Sequence, residues 1–148
     1  GRPDPVAMDK TKEKAKWVEP KGEVERKALK LRRGATAHVM VTAATFDGAG
    51  MVAVVREELV DAIQATEVFG KINIDGNYGH FAVEVVIEDT RADDSLLSGV
   101  LRSGARLKVS LTVTDTERRK RLSPRDPANL FYGNGREISE QIATYLAG

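Results

Sequence analysis

Apolar residues alternate with polar ones in four separate stretches of this chain. A strand that alternates buries one face and leaves the other open. In the stretch 36–46, Val39, Val41 and Ala43 share one side, while His38, Met40 and Thr42 share the other. Residues 71–75 put Ile72 and Ile74 together. Residues 80–88 are the clearest case, with Phe81, Val83, Val85 and Ile87 set against His80, Ala82, Glu84 and Val86. A fourth stretch ends at Thr114, with Leu107, Val109, Leu111 and Val113 inward and Lys108, Ser110 and Thr112 outward.

Helical periodicity fills the gaps between these stretches. Val55, Leu59, Ala62, Ile63 and Thr66 recur at the spacing of one helix face, in a helix starting near Val54. Glu57 and Glu58 lie in its first turn, where the helix dipole favours negative charge, and Gly70 suits its C-terminal cap. Asp93 or Asp94 can cap a second helix that presents Leu96, Leu97, Val100 and Leu101 and closes at Gly104. Asp47-Gly48-Ala49-Gly50 reads as a turn, and Asp75-Gly76-Asn77-Tyr78-Gly79 as a hairpin turn, because Gly and Asn accept positive φ. The expected order over residues 36–114 is therefore β-α-β-β-α-β. That is the ferredoxin-like split βαβ plan of the α+β class, a four-stranded antiparallel sheet with both helices on one face.

The ends carry a different charge from the middle. Residues 1–33 hold eleven Lys/Arg against six Asp/Glu, residues 34–115 six against twelve, and residues 116–148 six against four. Three parts are expected: a basic N-terminal arm over 1–35, an α+β domain over 36–114, and a basic C-terminal extension over 115–148. In that extension Ile138, Ile142, Tyr145 and Leu146 form the apolar side of a short helix. Basic arms bind nucleic acid by releasing counterions, or fold back on their own acidic domain. Trp17, the only tryptophan, can pin the arm to the body or stack on a base. The stretch Val24–Arg33 fits helix and strand equally.

Absent residue types narrow the chemistry. With no cysteine there is no disulfide scaffold, thiolate metal site or thiol nucleophile, and a reducing cytoplasmic setting is expected. No apolar run approaches the roughly 20 residues of a membrane span, and the N-terminus lacks a signal-peptide pattern. Gly70-Lys71 lacks the glycine spacing of a phosphate loop. Asp89, Asp93 and Asp94 are better explained as loop and cap residues than as a cation site. No cofactor is implied.

The uncovered sheet face is expected to display His38, Met40 and Thr42, then Lys71 and Asn73, then His80, Ala82 and Glu84, then Lys108, Ser110 and Thr112, with Tyr78 at its edge. Rings, amides and lysines on a flat sheet are how single-stranded RNA is held. The runs Phe69-Gly70-Lys71-Ile72-Asn73-Ile74 and Tyr78-Gly79-His80-Phe81-Ala82-Val83-Glu84-Val85, with Glu58-Leu59-Val60 upstream, resemble the accessory RNA-recognition domain of bacterial DEAD-box RNA helicases. The resemblance covers 36–114 and implies a non-catalytic RNA-binding module supporting helicase or ribonucleoprotein work. The residues it would use are Lys71, Asn73, Tyr78, His80, His38 and Lys108, flanked by Arg32, Arg33, Arg118, Arg119, Lys120 and Arg121. The first strand departs from the pattern, with no exposed aromatic. No ATPase core motif is present. A protein-interaction or homo-oligomeric assembly module is the alternative, because Met40, Ala82 and Val86 on the open face suit a protein partner. A third reading makes His38 and His80 the acid and base of an RNA-processing enzyme.

Overall fold

The computed structural model of the chain describes residues 17–76, 78–91 and 105–148. Its elements are β1 (Ala35–Ala43), α1 (Phe46–Ala49), α2 (Val52–Thr66), β2 (Phe69–Asn73), β3 (Phe81–Arg91), β4 (Arg106–Asp115), β5 (Lys120–Arg121), β6 (Leu130–Gly133) and α3 (Gly135–Ala147). The helix expected over 93–104 lies outside the described residues.

The alternating residues do make one buried layer. Val39, Val41, Val83, Val85, Ile87, Leu107, Val109, Leu111 and Val113 join Val55, Leu59 and Ile63 of α2 and Ile138, Ile142 and Leu146 of α3 in a single core cluster. Both α2 and α3 therefore cover the same sheet face, and the even-numbered residues of β1, β4 and the first part of β3 face away from them, as do Lys71 and Asn73 of β2. The α+β class agrees with the sequence pattern, while the second helix seen beside α2 is α3 of the C-terminal segment and not the one expected over 93–104. The strand order also differs.

Six strands, not four, form one mixed sheet in the order β2-β1-β3-β4-β5, with β6 also paired to β4. β1 runs parallel to both β2 and β3, so the sheet is not antiparallel throughout and the βαβ unit is not split by an intervening strand. Only the β3–β4, β4–β5 and β4–β6 pairs are antiparallel. The hairpin expected at 75–79 is a crossover. β2 pairs with β1 up to Asn73 opposite His38, and β3 begins with Phe81 opposite Ala37, on the other side of β1. The chain thus steps across β1 at nearly the level where it left it. A side chain at Gly79 would put its Cβ 2.5 Å from the His38 backbone nitrogen, so glycine is needed there for close approach. Gly70 serves similarly, because a Cβ there would meet the Gly34 carbonyl oxygen at 2.5 Å. It sits inside β2 and is not a helix cap. α2 ends instead at Glu67, which takes φ 59° and bonds back to Gln64.

The segment after β4 belongs to the same body. β5 pairs with the end of β4, β6 with its first half, and α3 packs into the core. Asn134 starts α3 with a reciprocal capping box: its side chain accepts from the Glu137 N–H while Glu137 accepts from the Asn134 N–H. The four residues read as a turn at Asp47 include part of α1, capped by Thr45, whose hydroxyl accepts from the Gly48 N–H at 3.0 Å. Val24–Arg33 adopts neither helix nor strand. It crosses the molecule as an extended strap, with Leu29 and Leu31 against the core.

Candidate assembly surface

Two edges bound this sheet, and they are finished differently. On the β4 side the strap shields the edge. The Arg26 guanidinium lies 3.9 Å from the Phe131 ring centroid and donates to the Ala128 and Leu130 carbonyls at 2.7 and 2.8 Å. Burial lowers its pKa, yet a guanidinium stays charged through the neutral range. Further along, Glu19 grips Arg106 through both carboxylate oxygens, at 2.6 and 3.2 Å, and these bonds hold its pKa below the usual carboxylate range. Trp17 completes the clasp, with its ring 6.4 Å from Tyr132 and the Arg91 guanidinium 5.0 Å away. These contacts pin Trp17 to the body. A groove of about 1240 Å³ separates the strap from β6 and α3, lined by Glu23, Glu25, Tyr132, Glu140, Gln141 and Tyr145 among others.

On the β2 side the edge is incomplete. β2 reaches only to the level of His38, so Val39–Ala43 have a partner strand on the β3 side alone among the described residues. The segments that leave β1 and β2 carry Phe46, 94% exposed, with Val54, Ile74 and Tyr78 more than half exposed.

Among the described residues, the face away from the helices interleaves apolar and polar side chains around Glu84. Met40 lies opposite Glu84, Thr42 opposite Val86, and His38 opposite Ala82, with Ser110, Thr112 and Thr114 following on β4. Met40, Ala82 and Val86 are half-buried, whereas Thr42 and Glu84 are exposed. Ser110 donates to Glu88 at 2.6 Å.

The structure divides the residues proposed to meet RNA. His38 and Lys108 stand half-buried on the uncovered face, and Lys71 is exposed on β2. Asn73 donates to the Tyr78 carbonyl at 3.0 Å. The Tyr78 hydroxyl lies 2.8 Å from that of Thr116, which donates to the Gly79 carbonyl at 2.7 Å. His80 contacts Glu117 through Nδ1, approaches Asp115 through Nε2 at 3.8 Å, and has Arg32 Nη2 3.3 Å from Nδ1. The Arg32 contact needs a lone pair on Nδ1 and the Glu117 contact a proton there, so the two are not hydrogen bonds at the same time. The Asp115 carboxyl is held below its usual range, first by the Arg118 backbone N–H and then by the charge of His80. Arg33 donates to the Ala147 and Thr66 carbonyls, each at 3.3 Å, closing the C-terminal ends of α3 and α2. Arg121 donates to the Ser123 and Pro124 carbonyls at 3.0 and 2.7 Å. Arg119 turns with φ 55°, and Arg119 and Lys120 are exposed. Arg118–Arg121 thus turn from β4 into β5, with Arg121 held by local carbonyls and Arg118 4.0 Å from Asp115. His38 lies in β1 and His80 immediately before β3, and His80 is engaged by two carboxylates.

Sequence reasoning missed Phe46, which it placed in the first strand, and the strap anchor Arg26. A signal for Phe46 existed: it falls out of phase with the odd-numbered buried residues of that strand.

The class this architecture defines is a mixed parallel–antiparallel sheet layered on two helices, with a strand that crosses over β1. No protein-family model matches the chain, and no curated protein matches it significantly in sequence. Among solved structures it is similar to PelC from Paraburkholderia phytofirmans, described as a dodecamer, at TM-score 0.50 and 14% identity, over 84% of this chain and 88% of that one. Protein XCC0632 from Xanthomonas campestris, of the DUF330 family, aligns at TM-score 0.53 and 8% identity, over 79% of this chain and 84% of that one. The hypothetical protein CT253 from Chlamydia trachomatis aligns at TM-score 0.50 and 12% identity, over 77% and 98%. Likeness at these identities is likeness of fold. It runs to PelC and DUF330-type proteins, not to RNA-recognition or helicase accessory domains, and with the observed strand order it overturns the RNA-binding reading. No helix among the described residues is long and apolar enough to cross a membrane.

Proposed function

We propose that this chain is a homo-oligomeric assembly module, whose copies associate through the sheet surface that the helices leave uncovered. The observation that carries the reading is the one-sided helix layer. Among the described residues it leaves a face on which half-buried Met40, Ala82 and Val86 flank the exposed Glu84. Apolar side chains interleaved with polar ones are the make-up of a non-obligate protein interface. Fold-level likeness to a protein described as a dodecamer adds support.

Sedimentation velocity over roughly 1–100 µM protein tests it, since micromolar association corresponds to about −8 kcal/mol. Association that strengthens with concentration and is reduced to a smaller species in Val86→Glu or Met40→Glu, with far-UV circular dichroism unchanged, is the expected result. A single monomeric species across that range would refute the reading.

A further inference from the structure

The sheet face is not the only surface that asks for a partner. β2 fills only half of the lane beside β1. Its ladder stops at Asn73 opposite His38, and β1 continues for Val39, Met40, Val41, Thr42 and Ala43 with no strand beside it among the described residues. The Ala44 N–H donates to the Ile87 carbonyl at 2.9 Å, toward β3. Amides alternate sides along a strand, so those of Ala43 and Val41 point into the empty lane. Five residues of edge, roughly 17 Å long, are a template for another strand.

Natural edges are blunted by charge, proline or a covering segment. The β4 side has that protection, because Arg26 donates to the Ala128 and Leu130 carbonyls. The stretch Val39–Ala43 contains neither proline nor a charged residue. It is bordered by apolar side chains instead. Of the five large hydrophobics exposed among the described residues, Phe46 and Val54 follow its upper end, and Ile74 and Tyr78 follow the end of β2 beside its lower end. Only Val18 lies elsewhere.

We infer that this lane is filled by the same stretch of a second copy, the two β1 strands pairing antiparallel about Val41. This inference rests on the assembly reading and names one of its contacts. A two-fold arrangement needs one surface that is its own complement, and an antiparallel pair of identical edges meets that condition. It sends each copy's Phe46 past the far end of the other's open stretch, toward Ile74 and Tyr78. The interface is also large enough. A strand pair alone is small, but the exposed parts of Phe46, Val54, Ile74 and Tyr78 add on the order of 1,000 Å² over two copies, which approaches the size of a stable interface.

Three substitutions test the pairing. Ala43→Pro removes an N–H that faces the empty lane and makes no bond to β3, so the monomer keeps its ladder while the edge loses a donor. Phe46→Asp changes a side chain that is 94% exposed, so it leaves the monomer intact. Each is expected to weaken self-association at least tenfold by sedimentation equilibrium, with the far-UV spectrum retained. Val41→Cys, in a chain without native cysteine, is expected to give a disulfide-linked dimer under mild oxidation, because residues opposite one another in such a pair lie within bridging reach. An oligomer untouched by Ala43→Pro and Phe46→Asp, or one whose Val41→Cys variant forms no linked dimer, would overturn the β1 pairing and leave the assembly reading standing. A wild-type chain that stays monomeric at about 100 µM, a concentration at which even weak complexes form, would overturn both.

Discussion

Arg26→Ala is the perturbation that most directly measures how far the strap is part of the fold. The side chain stacks 3.9 Å from the Phe131 centroid and donates to two carbonyls of the β6 segment, at 2.7 and 2.8 Å. Charge-assisted bonds of this kind contribute about 1.5–3 kcal/mol each and a cation–π contact about 0.5–2 kcal/mol. They do not simply add. Burying the guanidinium costs part of the gain, as its lowered pKa indicates, and the freed carbonyls recover water. A net loss of about 2–3 kcal/mol is expected, which at a urea m-value near 2 kcal/mol/M moves the midpoint down by about 1–1.5 M. Arg26→Lys keeps the charge but not the flat fork, and should recover about half. Urea titrations followed by Trp17 fluorescence and by far-UV circular dichroism in parallel read both the strap and the body. A midpoint shift below about 0.3 M in Arg26→Ala would refute the view that this residue fastens the edge.

Other consequences are as specific. Gly79→Ala should cost about 3 kcal/mol or more, because the added Cβ meets backbone at 2.5 Å and not the end of a flexible side chain; chemical denaturation reads it directly. Asn134→Ala should cost about 1 kcal/mol in the same assay, through loss of the α3 capping box. Burial raises the Glu58 pKa, with Arg136 partly opposing it. A raised carboxyl gives stability that is complete below about pH 4.3 and lost as pH climbs through the folded value, so Glu58→Gln should be the more stable chain at pH 7, by up to about 1 kcal/mol, and equal to wild type near pH 4. Glu19 has the opposite sign. Its depressed pKa supplies stability that is present above about pH 4.3 and lost as pH falls through the lower folded value, so acid should release Trp17, and Glu19→Gln should abolish that dependence.

What the sequence made legible follows from what period-2 alternation reports. It reports burial, and the buried residues of β1, β3 and β4 are the alternating ones, while Val55, Leu59 and Ile63 are the buried face of α2. It says nothing of which strand lies beside which, because backbone pairing leaves no mark on side-chain pattern. The crossover was hidden for a related reason. Gly76, with φ 93°, is the glycine of a turn, whereas Gly79 is needed for the space beside His38, and one letter stands for both. β6 escaped notice because Leu130–Gly133 is too short to show a period. The basic run at 118–121 looked like an arm because charge counts cannot see that Arg121 is bonded to Ser123 and Pro124.

The unlike finish of the two edges bears on how copies would grow into an assembly. A sheet open at both edges adds copies without limit, which is the route to fibres. Here the strap holds one edge through Arg26 and the Glu19–Arg106 pair, and the open stretch of the other is only Val39–Ala43. An antiparallel pair of such stretches consumes both and stops. Any association beyond two copies must then use another surface, and the uncovered face, with Met40, Ala82 and Val86 flanking Glu84, supplies one. The two sets of substitutions should therefore act separately: Phe46→Asp reduces a larger assembly to one held by the face alone, and Val86→Glu leaves edge-paired dimers. If each variant instead gave monomers, one contact would be serving both purposes, and the division of labour between face and edge would fall.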